Sequence, residues 1–159
     1  MATTIAGYRE LFANVHRRPL MYLPDAGFAA STSFVVGCNA ANAHALLTGF
    51  TPWLATRAGC GDNLVWWALV LQLTPPAGRK HPRQLDPEVD ARAVATLFDL
   101  LDEFLELRDE TDGLRRIFAA HERWRQLRSA DGCLATDAPA CPTVEWPRPA
   151  NRSQPTGTS

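Results

Sequence analysis

Lysine is nearly missing from this sequence: Lys80 is the one lysine among sixteen basic residues, and the other fifteen are arginine. Basic and acidic residues almost cancel, leaving a formal net charge of −1 at pH 7. No basic excess is therefore at hand to neutralise a phosphate backbone, and nucleic acid is excluded as an electrostatic partner. The arginine bias, with its abundant alanine, reads as GC-rich coding rather than phosphate recognition. Cysteine is sparse. None of Cys38, Cys60, Cys133 and Cys141 forms a Cys-x-x-Cys pair or lies at zinc-ligand spacing from a histidine, so no zinc ribbon is encoded and the thiols read as reduced. Long apolar runs are missing too. The longest uncharged stretch, residues 26–55, contains Ser31, Thr32, Ser33, Asn39, Asn42 and His44. That is too polar for a bilayer span, which takes about 20 predominantly apolar residues. Residues 1–7 lack the basic and apolar regions of a signal peptide. These absences predict a cytoplasmic chain with neither a membrane nor a nucleic-acid partner.

What is present suits one folded body. A chain of 159 residues with 46% hydrophobic content has room for a single core. Ile5, Tyr8, Phe12 and Val15 recur at helical spacing behind Thr3 and Thr4, which predicts a first helix over 4–16. Pro19 ends it, because the residue before a proline is pushed out of the α region. Met21, Tyr22 and Leu23 read as an extended apolar plug, and a second helix follows over 28–47, its alanines permitting close backbone approach. Residues 50–61, with Pro52 and two glycines, read as loop-like, with Trp53 and Leu54 as the start of a further helical turn at most. The apolar run 64–73, with Trp66 and Trp67, lies at the centre of the core as a helix or a strand, since periodicity alone does not separate the two. Further helices are predicted over 91–108 and 114–128, joined as an αα-hairpin through Thr111, Asp112 and Gly113.

The predicted fold is thus all-α: about five helices around a Trp-rich core segment, forming a single domain over 1–129. Beyond it, five of the twelve prolines fall between Pro139 and Pro155 with no apolar period. Residues 130–159 are expected to be a disordered tail.

Several side chains stand out as binding candidates. Arg17 and Arg18 either clamp an anionic ligand or complement the C-terminus of the first helix. Tyr22 reads as a core anchor with its hydroxyl at the surface. Asp62 and Asn63 cap the run carrying Trp66 and Trp67. Adjacent residues on a helix diverge by about 100°, so one indole is left to line a groove or a partner surface unless both are shared between packing faces. Asp99, Asp102, Glu103 and Glu106 recur at i, i+3, i+4 and i+7 opposite the Leu/Phe stripe. They form a solvated acidic face that suits a basic protein partner, since the Glu-x-x-His of bundle metal sites is missing. The four histidines lack a fixed nucleophile or acid partner in sequence, which gives no hydrolytic triad. No catalytic residue, metal site or cofactor is predicted.

The segment Arg17-Arg18-Pro19-Leu20-Met21-Tyr22-Leu23, set between two helices, resembles the entrance to the gyrase B-type ATP-binding domain of type II topoisomerases. That resemblance implies a magnesium-holding asparagine, which falls on Asn42. The family's water-activating glutamate falls on Cys38, and its Asp-x-Gly-x-Gly adenine site has no counterpart. Over residues 8–128 the chain also resembles a group of small bacterial proteins common in actinobacteria. The shared features are the Arg-Arg-Pro-x-Met-Tyr-Leu motif, Thr48-Gly49-Phe50, Gly61-Asp62-Asn63-Leu64, and the helix Leu97-Phe98-Asp99-Leu100-Leu101-Asp102-Glu103-Phe104-Leu105. This second resemblance implies no activity. The expected function is a non-catalytic protein-interaction module, antitoxin-, immunity- or adaptor-like. The competing expectation is a small-ligand or nucleotide-binding module using residues 17–22 and Asn42.

Overall fold

Thr4 starts the first helix as expected: its hydroxyl accepts the Gly7 N–H at 3.3 Å, and α1 runs Ile5–Arg17. In the computed structural model, which describes residues 4–61, 63–75 and 85–130, five more helices follow. They are α2 (Phe28–Ala41), α3 (Phe50–Ala58), α4 (Trp66–Leu73), α5 (Pro87–Asp109) and α6 (Gly113–Ala130), with a 3₁₀ turn at Pro19–Met21. No strand occurs among the described residues. The tail expected from 130 onward lies, from residue 131, outside them.

Helix α5 is the organising element. Its 23 residues span about 34 Å at about 1.5 Å per residue. It packs against α1, α2, α4 and α6. Phe98, Leu101, Phe104 and Leu105 line its buried side. Around Phe104 an aromatic cluster closes the core, with Phe50 at 4.9 Å and Trp53 at 5.8 Å between ring centroids. Phe12 of α1 meets Phe98 at 6.4 Å. Burying such side chains contributes about 1.5–3 kcal/mol each, which makes α5 the helix the rest of the chain condenses on. Helix α6 packs chiefly on α3 and less on α5.

Three expectations about the elements are corrected. The second helix stops at Ala41 rather than Leu47. Asn42 caps it, its amide donating to the Cys38 carbonyl at 2.7 Å, and Asn39 takes the Leu47 N–H at 3.0 Å. Side-chain amides that bond the local backbone compete with helix continuation, and Ala43 and His44 turn left-handed there (φ 50° and 60°). Residues 50–58 are a helix, not a loop, so the described residues hold six α-helices rather than five. Pro52 sits in the first turn, where the N–H it lacks would have no partner. Gly49 precedes it with φ 89°, and a side chain there would lie 3.2 Å from Leu114 of α6. The third correction is the apolar plug: only Leu23 of that segment enters the core, while Met21 and Tyr22 are exposed. The run 64–73, left open between helix and strand, is helical from Trp66, with Leu69, Val70 and Leu71 buried.

Candidate functional site

Arg17, Arg18 and Tyr22 share one knuckle at the end of α1. Met21 N–H bonds the Arg18 carbonyl at 3.1 Å, and Tyr22 and Leu23 N–H both bond the Pro19 carbonyl, at 2.9 and 2.8 Å. This tight turn throws Leu20 and Met21 outward, 72% and 70% exposed, while Leu23 pins it to the core. Tyr22 is 43% exposed, so it is no core anchor. Beside the turn lies a hollow of about 300 Å³ lined by Arg18, Pro19, Leu20, Met21 and Ala26. Both arginines are exposed, and neither makes an ion pair among the described residues.

Asn42 lies elsewhere. Its amide donates to the Tyr8 hydroxyl and the Cys38 carbonyl, joining the end of α2 to the first half of α1. Tyr8 and Arg17 are nine positions apart on α1, about 13–14 Å along its axis. The turn at 17–22 and Asn42 therefore do not face one small ligand, and the amide that would hold magnesium serves an interhelical joint.

The acidic row on α5 is solvent-exposed as expected, but most of it is paired with cations of neighbouring helices. Asp102 takes a two-pronged bond from Arg9 of α1, Nε to Oδ1 at 2.7 Å and Nη2 to Oδ2 at 3.1 Å. Glu106 lies 3.7 Å from the same guanidinium. The Asp102 carboxylate holds the Arg9 guanidinium above its ordinary pKa, against the opposing effect of burial. Glu103 pairs with Arg57 of α3, whose guanidinium also sits over the Trp53 ring at 5.2 Å. Three of the four acids thus fasten α1 and α3 to α5, and Asp99 alone makes no ion pair among the described residues. Sequence reasoning missed Arg9 and Arg57, because partners 93 and 46 positions away leave no local signal. Between α1 and α5 a cleft of about 190 Å³ remains, with His16 stacked on Phe98 at 5.1 Å and Asp99 near its rim.

Trp66 packs on Phe50 at 5.7 Å, and both Trp66 and Trp67 are half-buried against the core. Asn63 is exposed, and Asp62 lies outside the described residues. Among the described residues no group of three or more His, Cys, Asp or Glu side chains is placed to hold a metal ion.

One surface was not singled out from sequence. Helix α2 contains no charged residue, yet it buries only Phe28, Ser31 and Val35. Its outer side exposes Ala29, Ser33, Val36, Gly37, Ala40 and Ala41. Ala29, Ser33, Gly37 and Ala41 recur every fourth residue and so form one ridge. The Ser33 hydroxyl turns back to the Ala29 carbonyl at 2.9 Å, which keeps the ridge smooth. A side chain at Gly37 would meet nothing within 4 Å, so the fold itself does not require glycine there. The signal lay in the uncharged stretch 26–55, which holds all of α2 and the first six residues of the buried α3.

Comparison with protein-family models, with curated proteins and with solved structures finds no match for this chain.

Proposed function

We propose that this chain is a non-catalytic interaction module that docks another protein through the outer face of α2, in the manner of an antitoxin, immunity protein or adaptor. The observation that carries the reading is a 14-residue helix with no charge and an exposed ridge of small side chains. The outer face of a solvated helix ordinarily bears charged and polar residues. A mid-helix glycine costs about 1 kcal/mol relative to alanine, and here the fold gains nothing from it. A partner helix laid along the ridge accounts for both features. Small side chains let two helices approach to the short end of the usual 8–10 Å range, and Val36, 47% exposed, supplies an apolar contact at its centre.

The partner has an apolar helix or groove rather than a strongly basic face, since most of the acidic row is engaged within the fold. The test is a photo-crosslinking residue at position 36 in cells of the source organism, with and without Ser33→Arg and Gly37→Arg. The expected result is an intermolecular adduct with one polypeptide, lost in the double variant while its melting temperature stays close to that of the parent. An adduct of equal yield in the double variant would remove α2 from the docking role.

A further inference from the structure

The knuckle at residues 17–22 is a second feature that the fold does not use, and it lies on a different surface from the α2 ridge. We infer that it is a peripheral anchor for an anionic phospholipid surface. Leu20 and Met21 are the two most exposed large apolar side chains among the described residues, and they are adjacent. They are held out rigidly. Pro19 fixes one dihedral of the turn, three backbone hydrogen bonds close it, and Leu23 roots it in the core. A loose loop could fold such side chains inward, whereas this turn keeps them presented.

The flanking chemistry matches a membrane interface. Arg17 and Arg18, unpaired among the described residues, stand at the base of the aliphatic tip. Their long stems allow the guanidinium groups to meet headgroup phosphates while the tip enters the acyl boundary. Tyr22, half-exposed, is the residue type that concentrates at that depth. The apolar hollow beside Arg18 and Ala26 adds room for part of an acyl chain. Two carboxylates near the following helix start, Asp25 and Asp90, bond the backbone there. Asp25 accepts the Gly27 N–H at 2.7 Å, and both oxygens of Asp90 lie 3.2 Å from the Phe28 nitrogen. No described helix is long and apolar enough to cross a membrane, and the contact inferred here rests on the surface rather than spanning it. A protruding aliphatic tip flanked by two arginines suits a deformable lipid surface better than a protein, which would have to supply a matching pocket.

With two inserted side chains the affinity is weak; even a single myristoyl chain gives only about 10⁴ M⁻¹. The test is therefore co-sedimentation of the full chain at millimolar lipid, with vesicles of phosphatidylcholine alone or mixed with phosphatidylglycerol at about seven to three. The expected result is binding to the mixed vesicles only, fading at high salt. Arg17→Gln with Arg18→Gln should weaken it by about fivefold per arginine. Leu20→Ser with Met21→Ser should abolish it, and Met21→Gln alone should weaken it. All these side chains are exposed, so melting temperatures should match the parent. Absence of binding to the mixed vesicles, or unchanged binding by the Leu20→Ser/Met21→Ser protein, would overturn the inference.

Discussion

Replacing Gly37 with alanine should move stability and docking in opposite directions. In the free chain the new methyl group meets nothing within 4 Å, so it brings neither strain nor packing. What remains is the intrinsic preference of the helix for alanine, about 0.8–1 kcal/mol. For a body of this size that raises the melting temperature by about 3–5 °C. At a docked ridge the same methyl intrudes into a close helix–helix contact, where overpacking costs about 1–3 kcal/mol, or roughly a five- to hundredfold loss of affinity. Gly37→Leu should exaggerate the second effect. The measurements are a thermal melt of each variant and the crosslinking yield from position 36. A lower melting temperature for Gly37→Ala would show that the fold itself needs the glycine. Higher stability with an undiminished yield would refute the argument that a partner occupies the ridge.

Gly113 behaves in the contrary sense: a Cβ there would lie 1.9 Å from the Leu107 carbonyl oxygen. Gly113→Ala should therefore destabilise by about 2–3 kcal/mol despite alanine's helix preference, measurable as a fall in melting temperature of about 10 °C. For the Arg9–Asp102 pair, a double-mutant cycle with Arg9→Met and Asp102→Asn should give a coupling of about 0.5–1 kcal/mol that shrinks in high salt, and zero coupling would mean the pair only decorates the surface. Burial holds the Cys38 thiol above its ordinary pKa. The unfolded chain then loses that proton first as pH rises, so this contribution is intact below the ordinary thiol value and fades above it. Denaturant titrations at neutral and alkaline pH should show a decline that Cys38→Ala lessens, with iodoacetamide reacting at Cys38 more slowly than at a free thiol.

The helical class was legible because long apolar stripes at 3.6 spacing, such as Val94 to Leu105, admit no other element. Helix α3 was hidden by Pro52, which marks a loop only when its position within the first turn is unknown. The knuckle was visible as a motif, but its outward direction was not. Whether Met21 or Leu23 faces the core depends on a turn geometry that adjacent residue types do not encode. The acidic row was legible as an exposed face, but its ion pairs were not. Spacing correctly put Asp102, Glu103 and Glu106 on one side of α5, but their cations come from α1 and α3, and pairs that distant become visible only when the helices are in place. The α2 ridge was half visible, as a stretch without charge whose buried and exposed halves look alike in sequence.

Helix α1 makes its most extensive contact with α5, about ninety positions further along the chain. At about 5–20 residues per second of synthesis, α1 waits roughly 5–20 seconds for the surface that will cover Phe12 and Val15. Because α3, α4 and α5 meet at closer sequence range, we expect them to form the folding nucleus and α1 to dock on it afterwards. Trimming Phe12 to leucine should accordingly quicken unfolding and leave the refolding rate almost unchanged, which a chevron plot would register as displacement of a single arm. Until that docking, the young chain exposes the apolar side of its first helix, and this interval is when a chaperone would find it most readily.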